Sequence, residues 1–386
     1  MKNGNLSIPI PAILAISVLT VFLTILSAKT YSQARETETC IDSILQRAKV
    51  AGMAVAVVKK NKLVYMHSFG LKNIENNTPL TDDCLFRIAS ISKSFTATSI
   101  MQLVEAKKIS LDDDLGKLLG FTIRHPKFPE KVITLRMVLS HRSAINDSQG
   151  YFTLDVINPE KNPNWAKCFN DYEPGTGYMY CNLNFNMAGT ILEKVAGERF
   201  DQYVKHHILD PLGLYGGYCV DSLDQSRFAT IYEYNTDSAK FIASPGAYAA
   251  RSNEIANYTM GYSTPIFSPT GGMKISAGDL AKYMMMHMNY GKYNGVRIIK
   301  RKSAKLMQKN LSGKDGYGLA IMTRDSLIVG ETMKGHTGSA YGLYSTMFFH
   351  PKKKFGVVAI TNGYRSEVPG GLKHVVNCVY ANMIKQ

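Results

Sequence analysis

The sequence predicts an α/β protein in which one antiparallel sheet, with strands from both ends of the chain, is sandwiched by helices and interrupted by a mainly helical insertion. Three observations carry this prediction. Short β-rich runs occur early, at 52–59 and 63–70, and return only after Tyr317. The stretch between them holds the segments that read as helices. At 386 residues, 45% hydrophobic and 19% charged, the chain can bury the large core of a two-lobed domain.

Residues 1–34 read as a targeting segment rather than as fold: Lys2 is a small basic start, 10–26 is an uncharged apolar run, and Ser32-Gln33-Ala34 offers a small-x-small cleavage site. An uncleaved N-terminal membrane anchor is the alternative, because the run is long. Cys40 opens an amphipathic helix with Ile41, Ile44, Leu45 and Ala48. The strands 52–59 and 63–70 are split by Lys60-Asn61-Lys62, a hairpin signal. Helices are expected near 95–107, 135–139, 184–195 and 200–208. The polar, tyrosine-bearing stretches 146–171 and 221–267 read as irregular, either walling a cleft or covering surface. Strands return at 319–323 and 327–329. A hairpin of 344–349 and 355–361 follows, turned at Pro351-Lys352-Lys353-Lys354. The last helix carries Leu372, Val375, Val376, Cys378 and Val379. Residues 35–386 therefore form one domain, with an α/β lobe at about 36–95 and 270–386 and a helical lobe at about 96–269.

Three short strings carry chemistry. Ser90-Ile91-Ser92-Lys93 puts a hydroxyl and an amine on one helix face. A serine is a weak nucleophile until a base takes its proton, and lysine can be that base only when burial or nearby positive charge keeps it neutral. At a helix N-terminus, Ser90 would also have free N–H groups to favour developing negative charge. Tyr180-Cys181-Asn182 follows a Pro174-Gly175-Thr176-Gly177 turn. Its phenol, eased towards ionisation by a nearby lysine, could serve as base and acid. Its amide could hold Lys93 and a substrate together. His336-Thr337-Gly338-Ser339 lies at a strand edge where glycine lets a ligand backbone approach. There Thr337 and His336 could meet an anionic group, and the Ser339 N–H could pair with that of Ser90 as an oxyanion hole. Each string alone is common, and a capping serine, a packed tyrosine or a plain bend would explain it.

Together the strings resemble the serine β-lactamase and penicillin-binding protein family. The likeness is to the branch of class C β-lactamases, DD-peptidases and related esterases, and it covers nearly all of the chain after residue 36. Phe86-Arg87-Ile88-Ala89, Leu139-Ser140-His141, Asp210-Pro211-Leu212-Gly213-Leu214 and Gly271-Gly272-Met273 share in it. The resemblance implies a β-lactamase-like fold, with Ser90 as the acylated nucleophile and Lys93 and Tyr180 as its proton partners. It makes Asn182, His336, Thr337 and Gly338 substrate-binding, beside the Ser339 N–H read from the strand edge. It also implies that the first and last helices pack together on the sheet, which suggests a Cys40–Cys378 bridge. Departures are Cys181 in place of serine, Arg142 and Ala144 in the His141-Arg142-Ser143-Ala144 string, and His336 in place of lysine. The last is more at home in peptidase and esterase members than in an efficient β-lactamase.

Other chemistries are disfavoured. His206 and His207 are adjacent, hence expected to diverge on a helix, and no His-Glu-x-x-His occurs. No Walker loop and no Gly-x-Ser-x-Gly elbow is present. Asp112-Asp113-Asp114 reads as a solvated helix start, so no metal and no cofactor are implied. The net formal charge of +15 could draw anionic cell-envelope surfaces, but it is dispersed through runs such as Lys300-Arg301-Lys302 and Lys352-Lys353-Lys354. No nucleic-acid module appears. The expected activity is a periplasmic or secreted serine hydrolase acting on cell-wall D-amino-acid peptides, as a DD-carboxypeptidase or endopeptidase does. A carboxylesterase, a class C-like β-lactamase accepting β-lactams, and a non-catalytic peptidoglycan sensor are the alternatives.

Overall fold

The computed structural model describes residues 32–365 and 371–385; the expected targeting segment lies, but for residues 32–34, outside them. The first helix, α1, spans 32–48. Next come β1 (Gly52–Lys59), β2 (Lys62–Asn73), β3 (Thr78–Pro79), α2 (Ser92–Glu105) and α3 (Asn182–Ala196). The C-terminal part supplies α4 (Ala277–Met288), β4 (Met322–Ile328), β5 (Glu331–Ala340), β6 (Leu343–His350), β7 (Phe355–Thr361) and α5 (Lys373–Val379). The seven strands form one sheet of order β4-β5-β6-β7-β1-β2-β3, with every neighbouring pair antiparallel.

Strand periodicity builds the layers. In β1, Met53, Val55 and Val57 enter one core with α1 and α5, while Ala54, Ala56 and Val58 enter the other with α4 and the helical residues of the insertion. Cys40 and Cys378 are bonded to each other across that first layer, 338 residues apart in sequence. The β1–β2 hairpin turns on Lys60 and Asn61, both at positive φ (52° and 62°), as a tight two-residue turn requires.

Several expectations are corrected. The runs at 319–323 and 327–329 belong to one strand, β4, because Ala320 (φ 57°) and a Gly318 N–H to Ile321 O bond turn the chain before Met322. Helix α4 went unread as an element, although Ser276 caps it and Leu280, Ala281, Met284, Met285 and Met288 form its buried face. The segment 200–208 is helical only through Val204, then widens into a π turn, Lys205–Leu209. His206 and His207 do not diverge: Nδ1 of one and Nε2 of the other reach the same Glu198 carboxylate at 2.7 and 2.9 Å. Asp114 caps helix Leu115–Leu119 and pairs with Arg124, while Asp112 pairs with Arg136. No group of three or more His, Cys, Asp or Glu among the described residues could hold a metal. Nor is any described helix long and apolar enough to cross a membrane.

Candidate active site

Ser90 sits in a 3-10 turn, Ala89–Ile91, that runs directly into α2. Ala89 ahead of it is held at φ 45°, a strained setting for a residue with a side chain. Contacts on both sides fix that setting. Ser345 Oγ donates to Ile88 O at 2.8 Å, the Ile88 N–H donates to Met273 O, and Ser92 Oγ accepts from the Met273 N–H. A Cβ on Gly338 would lie 2.3 Å from Ile88 O, so glycine alone lets β5 pass this close to the turn.

One turn along α2, Lys93 is fully buried. Its Nζ contacts Ser90 Oγ at 3.1 Å, Asn182 Oδ1 at 2.9 Å and Thr270 O at 2.9 Å. The Tyr180 and Phe185 rings lie 4.8 and 5.7 Å from it. Burial pulls its pKa from 10.5 to about 7, with the Asp147 carboxylate opposing only in part. A near-neutral amine 3.1 Å from a hydroxyl can take that hydroxyl's proton without a rearrangement.

Tyr180 faces Ser90, but its buried Oη has no hydrogen-bond partner of good geometry. The neighbouring lysine does not ease its ionisation as expected. Burial pushes the phenol well above its usual range, and the Ser90 hydroxyl offsets this only partly. The resting tyrosine is a proton donor.

His141 brackets Tyr180: its carbonyl accepts from the Met179 N–H at 3.0 Å, and its Nδ1 accepts from the Cys181 N–H at 3.1 Å. Burial drives the ring's pKa far down, so it stays neutral and keeps that acceptor. Asp147 acts one residue further on. It takes the N–H groups of Asn182 (2.8 Å) and Leu183 (2.9 Å), the Asn182 Nδ2 (3.0 Å) and the Cys181 thiol (3.2 Å). It thus caps α3 from outside the helix and fixes the Asn182 amide with Oδ1 towards Lys93 and the Thr270 hydroxyl. Neither His141 nor Asp147 was singled out for this work from sequence. A cap supplied from 35 residues away leaves no local signature.

Strand β5 pairs with β4 only through Gly335, so 336–340 keep a free edge. Thr337 and Ser339 are exposed along it, while Gly338 is buried against the turn. His336 is fully buried: its Nδ1 faces Thr337 O at 2.5 Å and its Nε2 faces Tyr317 Oη at 2.8 Å. A carbonyl beside Nδ1 requires the proton there, so Nε2 accepts from the phenol. Burial holds the pKa down at about 3. His336 is thus neutral and committed to its two partners, and it does not supply the charge expected for an anionic group.

These residues converge on one cleft of about 790 Å³, lined by Ser90, Tyr180, Asn182 and His336 to Ala340, with Tyr151, Phe152, Tyr341 and Tyr344 adding aromatic walls. Of the two stretches expected to be irregular, 146–171 contributes Tyr151 and Phe152 to the lining; 221–267 holds an antiparallel hairpin (Tyr232–Asn235 with Lys240–Ala243) and a short helix (Ser252–Ala256) and does not reach it. The latter is tied down instead by the buried Glu193, which accepts from the Tyr258 hydroxyl, the Gly261 N–H and Thr264 Oγ1.

Known proteins share this fold. A family model described as Beta-lactamase matches residues 37–376. Among curated proteins, penicillin-binding protein 4 of Amycolatopsis lactamdurans is 26% identical over 343 residues, covering 83% of each chain. Protein flp of Staphylococcus aureus is 22% identical; the match covers 88% of this chain but 65% of the relative's length. Among solved structures, an octameric penicillin-binding protein homologue from Pyrococcus abyssi superposes with a TM-score of 0.71 at 27% identity, over 89% of this chain and 75% of that one. EstCE1, a hydrolase with promiscuous acyltransferase activity, and a D-amino acid amidase from Ochrobactrum anthropi share the fold at 21% identity, with TM-scores of 0.72 and 0.70 over 91% of this chain and 99% of theirs. The chain belongs to the Beta-lactamase family, a family of serine hydrolases that includes penicillin-binding proteins, amidases and esterases.

Proposed function

We propose that this protein is an exported serine hydrolase that forms an acyl-enzyme on Ser90 and acts on cell-wall peptides containing D-amino acids. The single observation that carries the reading is Lys93, buried and near-neutral, 3.1 Å from the Ser90 hydroxyl. In the first step Lys93 takes the Ser90 proton as Oγ attacks the scissile carbonyl. The N–H groups of Ser90, in the turn that leads into α2, and of Ser339, on the free edge of β5, hold the resulting oxyanion. Tyr180 gives its proton to the leaving amine and recovers one from Lys93. Water then attacks the ester carbon and gives a proton to the same pair, which passes it to Ser90 Oγ as the serine leaves and the acid is freed. Asn182 keeps Lys93 in place and offers its amide to the substrate.

Export is supported by the apolar leader and by the bond between Cys40 and Cys378, which fits an oxidising compartment. The names of the penicillin-binding relatives support the peptide substrate. A second reading, a small-ester hydrolase, draws on the neutrality of His336 and the aromatic cleft walls, neither of which demands a charged substrate. Labelling with a fluorescent penicillin tests the nucleophile: the wild type is expected to carry the label and Ser90→Ala none, whereas equal labelling of both refutes the assignment. Parallel assays on a D-Ala-D-Ala peptide, a short-chain p-nitrophenyl ester and nitrocefin then rank the substrates.

A further inference from the structure

Arg87 is the feature of the cleft that the mechanism leaves unused. It lines the same cavity as Ser90, three residues upstream in sequence. Its Nε donates to Gly271 O at 2.9 Å, and its guanidinium lies 5.0 Å from the centre of the Tyr341 ring. Tyr248 Oη accepts from the Arg87 N–H at 3.2 Å, and Tyr151 and Tyr341 stand near it on the cleft wall. Among the described residues no Asp or Glu pairs with Arg87. On the neighbouring strand, directly opposite Arg87 in register, Lys274 is buried and donates to Tyr218 O at 2.6 Å; burial and then the Arg87 charge pull its pKa from 10.5 to about 7, so it adds little fixed charge. A half-buried guanidinium without a counter-ion is costly unless a ligand completes it.

The local backbone is shaped for this placement. Tyr341 occupies the apex of the β5–β6 hairpin at φ 52°, an uncommon setting for a bulky side chain, with Gly342 at φ 80° beside it. A Cβ on Gly342 would lie 2.0 Å from Tyr232 O, so the apex is packed down and its tyrosine stays over Arg87. Arg87 presents a planar fork suited to a carboxylate, and the tyrosine hydroxyls can donate to the same group.

We infer that Arg87, with Tyr341 and Tyr151, forms an anion subsite that binds a carboxylate on the substrate. It supplies the charge that the neutral His336 does not. The inference deepens the proposed function, because a peptide ending in a free D-amino acid carries such a carboxylate. Its failure is separable from that of the function, because binding needs no turnover.

The test is equilibrium binding of N-acetyl-D-alanine and N-acetyl-D-alaninamide, followed by ligand-observed NMR, to the wild type, Arg87→Gln, Arg87→Lys and Lys373→Ala. Among the described residues, Lys373 is the other cation outside the Ser90–Lys93 pair that lines the cleft. The wild type is expected to prefer the carboxylate about 10–100-fold, the range of one charge-assisted hydrogen-bonded contact. Arg87→Gln should erase the preference, Arg87→Lys should keep part of it, and Lys373→Ala should leave it unchanged. The far-ultraviolet circular dichroism of Arg87→Gln and Arg87→Lys should match the wild type, which separates lost recognition from lost folding. A wild type that binds the amide as well as the acid overturns the inference whatever the variants do. So does a preference lost in Lys373→Ala and kept in Arg87→Gln. Preference without peptide hydrolysis would leave the subsite standing and remove the peptidase reading.

Discussion

A lysine with no exposed surface survives in a fold only when its surroundings accept a neutral amine or satisfy a charged one, and Lys93 has both kinds of contact. Two acceptors, Asn182 Oδ1 and Thr270 O, hold Nζ, while burial sets its ionisation near neutrality. The Ser-x-x-Lys spacing made this pair legible in the sequence, because i and i+3 share a helix face whatever else the chain does. The residues that hold the pair were not legible. Asp147 lies in an irregular stretch and acts on a helix whose first residue is 35 positions away. Its carboxylate satisfies three donors at the start of α3 and the Cys181 thiol. Asp147→Asn should therefore lower stability by about 2 kcal/mol in chemical denaturation. It should also cut ester turnover by about tenfold, through a loosened Asn182 amide. Unchanged turnover would show that Asn182 needs no such anchor.

At the scale of elements, the site is a junction of a turn, a helix start and a strand edge. Strand β5 comes so close to the 89–91 turn that Gly338 has no room for a Cβ. Gly338→Val should push the edge away from Ser90 and reduce the p-nitrophenol burst by at least about 10²-fold, the typical cost of a displaced oxyanion donor. Its far-ultraviolet circular dichroism should stay native. A full burst would mean that the edge takes no part in acylation. The main strands were readable from alternation and β-branched runs, and the β1–β2 turn from Lys60-Asn61-Lys62. Helix α4 escaped because it is buried on nearly every side, with Tyr283, Met286 and His287 inside as well as Leu280 and Met284, so no polar stripe alternates with an apolar one. The divergence expected of His206 and His207 failed because a π turn, a tertiary outcome, changes their relative direction.

At the scale of the molecule, the sheet is sewn from the two chain ends, and the Cys40–Cys378 bond ties the outermost helices together. Closing so long a loop restricts the unfolded chain strongly. Cys378→Ser should lower stability by about 2–5 kcal/mol while leaving ester turnover within about twofold, since neither cysteine lines the cleft. Titration of the denatured, unreduced protein with a thiol reagent should find four free thiols, those of Cys84, Cys168, Cys181 and Cys219. Six would mean that the bond is not made. The bridge was suggested by family likeness, since spacing alone cannot choose among the pairings of six cysteines.

The pH dependence of the acylation rate, read as the pre-steady-state burst from a p-nitrophenyl ester, tests the Ser90–Lys93 relation most directly. Lys93 must be neutral to accept the serine proton, and its pKa is held near 7, so the rate should rise with pH through a single ionisation close to 7 and level off above it. A burst independent of pH between about 5.5 and 9, or one that rises only as an ordinary lysine loses its proton near pH 10, would contradict a neutral Lys93 as the base.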